Sequence, residues 1–498
     1  MSFSRTPVIE ERWLHPVGML LSALTTVRRW AGLAAFPGIA ALVNGEFGMR
    51  TLLLVGLAFV VLALLSAVWG VLSWRATTYR ISGGAFHLKR GVLQKSERSL
   101  PLEHVQSVHT VQGIVQRVFG VVELRLEAAG GAGEPEVSLS ALSRPAARGL
   151  REELTRSRKN LDEAGEVGEE PSPTVLRKLS TGELLVAGLT SGQIGVAVSV
   201  VAGGSQILDN ILPAGLAERL SETLLPRTLF AALLLVLFVA LFAWLLAIFG
   251  TVLAHAGFTL SRSADGKYLH IKRGLLNRYE TTVPIARIQA VRLVEGALRQ
   301  PLGLAALRVE SAGFGTEEGV STVLFPLLRR SEAEDFLSAA APLFAAPLSS
   351  LAPLPARARG RYAFRSSIPA LVVAVPLAVF LFPWGLLALL LVPPAALYGL
   401  LRHRAAGYAL NKDRVVLRTR RLARTTVVAP RERLQSRGYS VSPIQKRRDL
   451  ATLEIEVASG RGGTAFRLVD LASGAARGIV DALSTRAGRP EEGEKRPA

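Results

Sequence analysis

The stretch that decides the fold runs from Tyr79 to Gln106: Tyr79-Arg80-Ile81, then Leu88-Lys89-Arg90-Gly91-Val92-Leu93, then Pro101-Leu102-Glu103-His104-Val105-Gln106. It recurs as Phe258-Thr259-Leu260, Ile271-Lys272-Arg273-Gly274-Leu275-Leu276 and Pro284-Ile285-Ala286-Arg287-Ile288-Gln289. A third, more diverged version reads Tyr408-Ala409-Leu410, Leu417-Arg418-Thr419-Arg420-Arg421-Leu422 and Pro430-Arg431-Glu432-Arg433-Leu434-Gln435. Gln lies five residues after Pro in all three. The register then holds through Gln116-Arg117, Arg299-Gln300 and Gln445-Lys446, and on into Glu123–Glu127, Ala306–Glu310 and Thr452–Glu456. A repeat of this length outranks other fold signals. Short alternating runs between Gly-rich turns, with Asp265-Gly266 as a hairpin tip, predict β-strands. An amphipathic helical stretch closes each repeat, near Ala146–Arg156, Ser331–Leu343 and Ala475–Arg486.

Outside these repeats the chain is strongly apolar. Hydrophobic residues make up 49% and charged residues 20% of the 498 positions, and the two kinds are segregated along the sequence. Six apolar stretches come in pairs: Ala31–Val43 with Thr51–Trp74, Leu184–Gly204 with Leu229–His255, and Ile368–Phe382 with Trp384–Leu401, the last pair turning at Pro383. About 20 apolar residues at 1.5 Å each cross a bilayer, so the second and fourth span comfortably, whereas the first and fifth are short and carry Pro37, Pro369 and Pro376. The fold class expected is an α+β membrane protein: three repeats of a transmembrane helical hairpin followed by a small β-rich domain with a C-terminal helix.

The domain plan is an N-terminal segment 1–28, hairpin 29–75, domain 76–157, polar linker 158–178, hairpin 179–255, domain 256–344, Pro/Ala-rich linker 345–361, hairpin 362–403, domain 404–487 and a charged tail 488–498, expected to be disordered. Cations set the expected orientation. Arg50, Arg219 and Arg227 lie in the outer connections, against Arg28, Arg29, Arg75, Arg80, Lys178, Arg361, Arg365, Arg402 and Arg404 at the other helix ends. The positive-inside rule then places the soluble domains and both termini in the cytoplasm. Ser2–Thr26, which holds Glu10, Glu11, Arg12 and His15, does not read as a secretory signal.

A membrane hairpin leading into Tyr-x-Ile, Lys-Arg-Gly-Val-Leu and Pro-Leu-x-x-Val-Gln-Ser-Val resembles the bacterial pleckstrin-homology-like family, and three units in one chain resemble its three-repeat branch. The third repeat departs from the pattern, with Arg420 in place of the Gly and Arg437-Gly438 in place of the apolar tail. The resemblance implies a β-sandwich of about seven strands capped by one helix, and a bacterial cell membrane. It implies no catalytic activity and no defined ligand, because such folds host many functions.

With no Cys, the chain has neither disulfides nor thiolate chemistry. Walker A, His-Glu-x-x-His, Gly-x-Ser-x-Gly and Rossmann patterns are missing. The seven His are scattered, and His104 and His109, five apart on a strand, face opposite sides. No enzyme, cofactor or metal is expected. The six apolar stretches hold no Asp, Glu, Lys or Arg, which argues against ion-coupled transport. Only the third is notably polar, with Thr190, Ser191, Gln193 and Ser199, and Gly188-x-x-x-Gly192 there suits close helix packing.

The net charge of +20 fits an anionic membrane surface, while 6% aromatics do not supply the stacking that nucleic-acid binding needs. The candidate site is therefore the set of basic strand ends: Lys89, Arg90, Lys272, Arg273, Arg418, Arg420 and Arg421. The partners expected are anionic lipid headgroups, a partner membrane protein or a second copy of the chain, with no nucleic acid. A solvated strand end is the plainer reading of those cations. The function expected is a non-catalytic membrane scaffold, with a component of a transporter or a stress or export complex as the alternative. The Pro-x-x-x-x-Gln element is read as structural, with Gln106, Gln289 and Gln435 satisfying buried backbone groups.

Overall fold

The computed structural model describes residues 11–43, 48–102, 105–128, 137–151, 153, 173–190, 229–311, 322–411, 413–459 and 463–484. His104, most of the linker 158–178, Ser191, Gly192, Gln193, Ser199, Arg219, Arg227 and the tail 488–498 lie outside the described residues.

The strands fall into three matching sets. The first set is β1 Arg12–Trp13, β2 Thr78–Ser82, β3 Ala85–Arg90, β4 Ser96–Pro101, β5 Val105–Gln112, β6 Val121–Ala128 and β7 Val137–Ser143. The second is β8 Thr174–Lys178, β9 Thr259–Arg262, β10 Tyr268–Arg273, β11 Arg278–Pro284, β12 Ile288–Glu295, β13 Leu304–Ser311 and β14 Thr322–Arg329. The third is β15 Ala352–Pro353, β16 Gly407–Asn411, β17 Arg414–Arg420, β18 Arg424–Pro430, β19 Leu434–Ser440, β20 Leu450–Val457 and β21 Thr464–Ala472. Helical residues 144–151, Ala333–Ala340 and Ser473–Ser484 close the sets.

The first strand of each set precedes the membrane hairpin and the other six follow it. Each hairpin is therefore an insertion within a β-domain. Strands β8 and β15 occupy stretches that the sequence assigned to linkers, and β1 lies in the segment read as an N-terminal lead. The first hairpin also starts earlier than its apolar stretch: one helix covers Val17–Val43 and carries Arg28 and Arg29 on its exposed side. It packs on Met49–Arg75, where a Cβ on Gly70 would stand 2.4 Å from the Met19 carbonyl oxygen. The same close approach recurs at Gly399, whose Cβ would stand 2.3 Å from the Tyr362 carbonyl oxygen. In the second hairpin Gly188 meets Ile248, at 3.1 Å from a built Cβ. Among the described residues, Met49–Arg75, Leu237–His255, Ala356–Phe380 and Trp384–Ala405 are long and apolar enough to cross a membrane. Pro369 and Pro376 are both accommodated inside the helix Arg359–Phe380.

Two compact units divide the chain at Met1–Pro284 and Ile285–Ala498, inside the second repeat rather than at a linker. In the first unit, β1-β2-β3-β4 forms one sheet and β7-β6-β5-β11-β10-β9-β8 another. The front sheet of the second repeat is thus continuous with the back sheet of the first. The second unit repeats the device, with β14-β13-β12-β18-β17-β16-β15 as one sheet and β19-β20-β21 as the last. Both junctions are antiparallel and share one register. Thr281, three before Pro284, faces His109, eight after Pro101. Val428, two before Pro430, faces Val291, seven after Pro284.

Within the first repeat the two sheets pack face to face through Phe86, Leu88 and Leu100 on one side and Leu124, Leu126 and Leu139 on the other, with Leu150 of the helix closing the end. Each such side chain contributes about 1.5–3 kcal/mol by leaving water. The third repeat is built alike, from Val415, Leu417, Leu453, Ile455, Leu468 and Ile479. Side chains reinforce both junctions. Arg151 donates to Glu280 (3.2 Å), to Thr282 Oγ1 and toward His270 Nδ1 (3.3 Å). In the second unit the fully buried Glu295 accepts from Arg424 Nε (2.9 Å) and lies 3.9 Å from Arg330. Removing one member of such a pair strands the other charge, so Glu295→Ala is expected to cost about 3–5 kcal/mol. Glu97→Ala, in an exposed pair with Arg80, should cost less than about 1 kcal/mol. Thermal unfolding of the two variants in detergent compares them directly.

Candidate functional site

Six of the seven basic candidates lie at the tips of hairpins joining the second and third post-membrane strands. Glycine makes the first two tips. Gly91 and Gly274 have φ of +114° and +102°, and a Cβ on either would lie 1.9 Å from a carbonyl oxygen, of Gln94 or Asn277. In the third repeat Arg420 takes the glycine position, and the strands instead stay paired one step further, to Arg420 opposite Arg424.

The second and third tips are bolted to the membrane helices. Gly274 N donates to the Ala256 carbonyl (2.8 Å) and Leu275 N to the Leu253 carbonyl (2.9 Å), at the end of the helix Leu229–His255. In the third repeat Arg402 Nε, in the last turn of the helix Val392–Ala405, donates to the Arg420 carbonyl (2.9 Å). Leucines project from the same tips: Leu93 is 88% exposed, Leu422 74% and Leu275 49%.

The cations differ in how free they are. Lys89 pairs with Glu11 at 2.8 Å, and that hydrogen bond and charge hold the exposed Glu11 carboxyl below its ordinary range. Lys272 reaches Glu280 at 3.3 Å. Burial pushes Glu280 up, but Arg151 and Lys272 outweigh it and the carboxyl ends below its usual value. Arg273 lies over the Tyr279 ring at 5.6 Å, and burial lowers its pKa. Arg90 and Arg421 are exposed.

Arg418 departs from the expectation. Its side chain is buried, with Nε donating to Thr426 Oγ1 (3.0 Å) and a second N–H donating to the Leu348 carbonyl. Burial first, then Arg330 and Arg424, bring its pKa down to about 10, so it stays cationic at neutral pH. It holds the Ala345–Arg359 stretch to the sheet and does not stand at the tip. Arg420 contributes its carbonyl to Arg402, and its Nε is buried.

Sequence reasoning passed over the apolar half of this surface. Short helical turns follow the long strands that start after each Pro, and they present Ile114, Val118 and Phe119 in the first repeat, Leu298 and Leu302 in the second, and Ile444 in the third, all exposed. Each of the first two turns touches the tip of the next repeat. Arg117 Nη1 lies 3.5 Å from the Leu275 carbonyl, and Gln300 Nε2 donates to the Leu422 carbonyl at 3.0 Å. The Gln-Arg positions that recur in the sequence are the hinges of this arrangement. Gln116 accepts from Gly113 N (2.6 Å) and donates to the Ser140 carbonyl (3.2 Å), and Gln445 donates to Thr452 and to buried Asp470, both at 2.9 Å. Gln289 donates to the Arg287 carbonyl (3.0 Å), whereas Gln435 is exposed and the side chain of Gln106 lies outside the described residues.

Comparison with known proteins agrees with these three sets. The bacterial PH domain matches at residues 32–158, 211–342 and 368–484. The chain belongs to the bacterial PH domain family. It is also 32% identical over 466 residues to the "UPF0699 transmembrane protein YdbT" of Bacillus subtilis (strain 168), covering 90% of this chain and 93% of that one. No solved structure matches. The three bacterial PH domain matches begin within the hairpins, so β1, β8 and β15 fall outside them. The protein is accordingly a membrane protein with three bacterial PH domains.

Two outcomes follow from the tips and the junction beside them. Gly274→Ala should destabilise the second domain, because φ of +102° and the Asn277 carbonyl both oppose a side chain, whereas Gly296→Ala, with open space around it, should leave melting unchanged. His270, lowered by burial and by Arg151, should give pH-dependent stability. That contribution is complete above the ordinary imidazole value of 6.5 and falls as pH drops below it toward the depressed folded value. Melting curves of wild type and His270→Gln between pH 7.5 and 5 should therefore converge as the pH falls.

Proposed function

We propose that this protein is a non-catalytic scaffold held in a bacterial cell membrane by three hairpins, with the bacterial PH domains and both termini on the cytoplasmic side. In this reading the hairpin tips bind anionic lipid headgroups. The observation that carries it is the backbone bonding of Gly274 and Leu275 to Ala256 and Leu253, which sets a basic, leucine-bearing tip against the end of a membrane-crossing helix. Leucine in the acyl boundary beside cations at headgroup level is the arrangement by which amphipathic surfaces read anionic bilayers. Lys89, Arg90, Lys272, Arg273 and Arg421 are the contacting cations. Arg418 and Arg420 support the tip of the third domain.

A transport path is less well supported. Thr190, Thr251 and Ser367 each donate back to a carbonyl one turn earlier, at 2.7, 2.8 and 3.0 Å, so these hydroxyls are spent within their own helices. The orientation is tested by maleimide labelling of single cysteines, since the native chain has none. A cysteine at Arg421 should be protected in intact cells and labelled in inverted vesicles.

Headgroup binding is tested in nanodiscs containing phosphatidylglycerol and phosphatidylcholine, with retained lipid counted by native mass spectrometry. Each cation near an anionic surface is worth about 1 kcal/mol, so Lys272→Ala with Arg273→Ala should weaken phosphatidylglycerol retention roughly 30-fold at that tip. Equal retention of both lipids by the wild-type protein would refute the reading.

A further inference from the structure

The junction between consecutive bacterial PH domains uses two kinds of strand edge, and among the described residues each kind is left over once. Strands β11 and β18 are the last strands of their front sheets, and each pairs with the first strand of the preceding domain's back sheet, β5 or β12. Among the described residues β4, equivalent to β11 and β18, pairs only with β3 and ends its sheet. Among the same residues β19, equivalent to β5 and β12, pairs only with β20 and ends its sheet. Both are exposed: Ser96–Ser99 on β4, and Gln435, Ser436, Arg437, Tyr439 and Ser440 on β19. Exposed edges of this kind are templates for pairing.

We propose that β19 of one chain pairs with β4 of a second copy of the same chain, in the register used at the two internal junctions. That register sets Ser99, two before Pro101, opposite Arg437, seven after Pro430, and Glu97 opposite Tyr439. Arg98 then faces Gly438, and no like charges are opposed. A second observation points the same way. At each internal junction a residue sixteen after the earlier Pro reaches the next tip, Arg117 to Leu275 and Gln300 to Leu422. The equivalent in the third domain is Lys446, which is exposed, and the tip that meets no such residue among those described is that of the first domain, where Leu93 is the most exposed of the tip leucines. Ile444, 65% exposed beside Lys446, is the apolar partner left over at the other end. The two free ends of the chain are complementary to each other rather than to themselves, so the contact is heterologous and joins unlike ends. It is independent of the lipid reading, which concerns the tips' membrane side.

The test uses full-length protein in native membranes. Two differently tagged chains are co-expressed, one carrying Ser99→Cys and the other Arg437→Cys, and mild oxidant is added. Directly opposed strand residues bring Cβ atoms to about 4.5–5.5 Å, within or just beyond disulfide range, and a short bismaleimide covers the remainder. Mixed dimers carrying both tags are expected, with neither single variant linking to itself, and a chain carrying both substitutions should give dimers and larger species. The proposal is overturned if both thiols react with maleimide yet no mixed dimer forms, or if Ser99→Cys links to itself. Linkage within one chain would also overturn it, as would capture of a different protein at either thiol with the copies left separate. Thiol labelling and melting of each variant exclude misfolding as the cause of a negative result. Loss of phosphatidylglycerol retention with cross-linking intact would sink the lipid reading and leave this one standing.

Discussion

Everything in the soluble part depends on antiparallel pairing between strands of neighbouring repeats. A strand at a sheet edge carries a row of unpaired N–H and C=O groups, and each one buried without a partner costs more than its bond would have gained. Here β5 takes β11 and β12 takes β18, so four potential edges become two sheet interiors. The consequence is that a domain counted along the sequence is not a unit of packing. The division of the chain at Pro284 and Ile285 records this, because the second repeat contributes its front sheet to one unit and its back sheet to the other.

Buried charge reinforces one of these seams and the root of the third hairpin. Glu295 sits between Arg424 and Arg330, and Asp470 receives Arg361 at 3.0 Å, Arg365 at 3.4 Å and Gln445 at 2.9 Å. Asp470 also has φ of +62°, a backbone setting that Asp tolerates better than most residues. Since Arg361 and Arg365 belong to the third hairpin's first helix and Asp470 to the strand β21, this cluster sets the angle at which that helix leaves its domain. Tyr362 adds to the clamp by donating to the Val469 carbonyl at 2.9 Å. Clusters like these stabilise little over apolar packing of equal volume, but they penalise any other arrangement.

Much of this was legible in the sequence because side-chain periodicity reports burial. The three repeats, the tips after the basic pairs and the closing helices all follow from alternation and glycine placement. Edge pairing leaves no such mark, since it is made by backbone groups that every residue carries. Strands β1 and β15 have two residues each, too few for any alternation, and a hairpin separates each from the rest of its sheet. Arg418 misled for a related reason. A cation on a strand reads as solvent-facing, and only the structure shows the Leu348 carbonyl waiting for it. Likewise Arg28-Arg29 read as a helix boundary, although a long exposed helix accommodates them without a break.

The placement of each hairpin inside its domain bears on how the protein is made. A ribosome delivers β1, β8 or β15 first, then the helical hairpin, and only afterwards the strands those residues must join. No domain can close until its hairpin has been made, so placement of the anchor and completion of the β-fold are coupled steps of assembly. The first strand and the remainder of each domain are also tied to the membrane from both sides, one at each end of the hairpin. A cut that releases the soluble domain as one piece would have to leave its first strand behind or take the anchor with it.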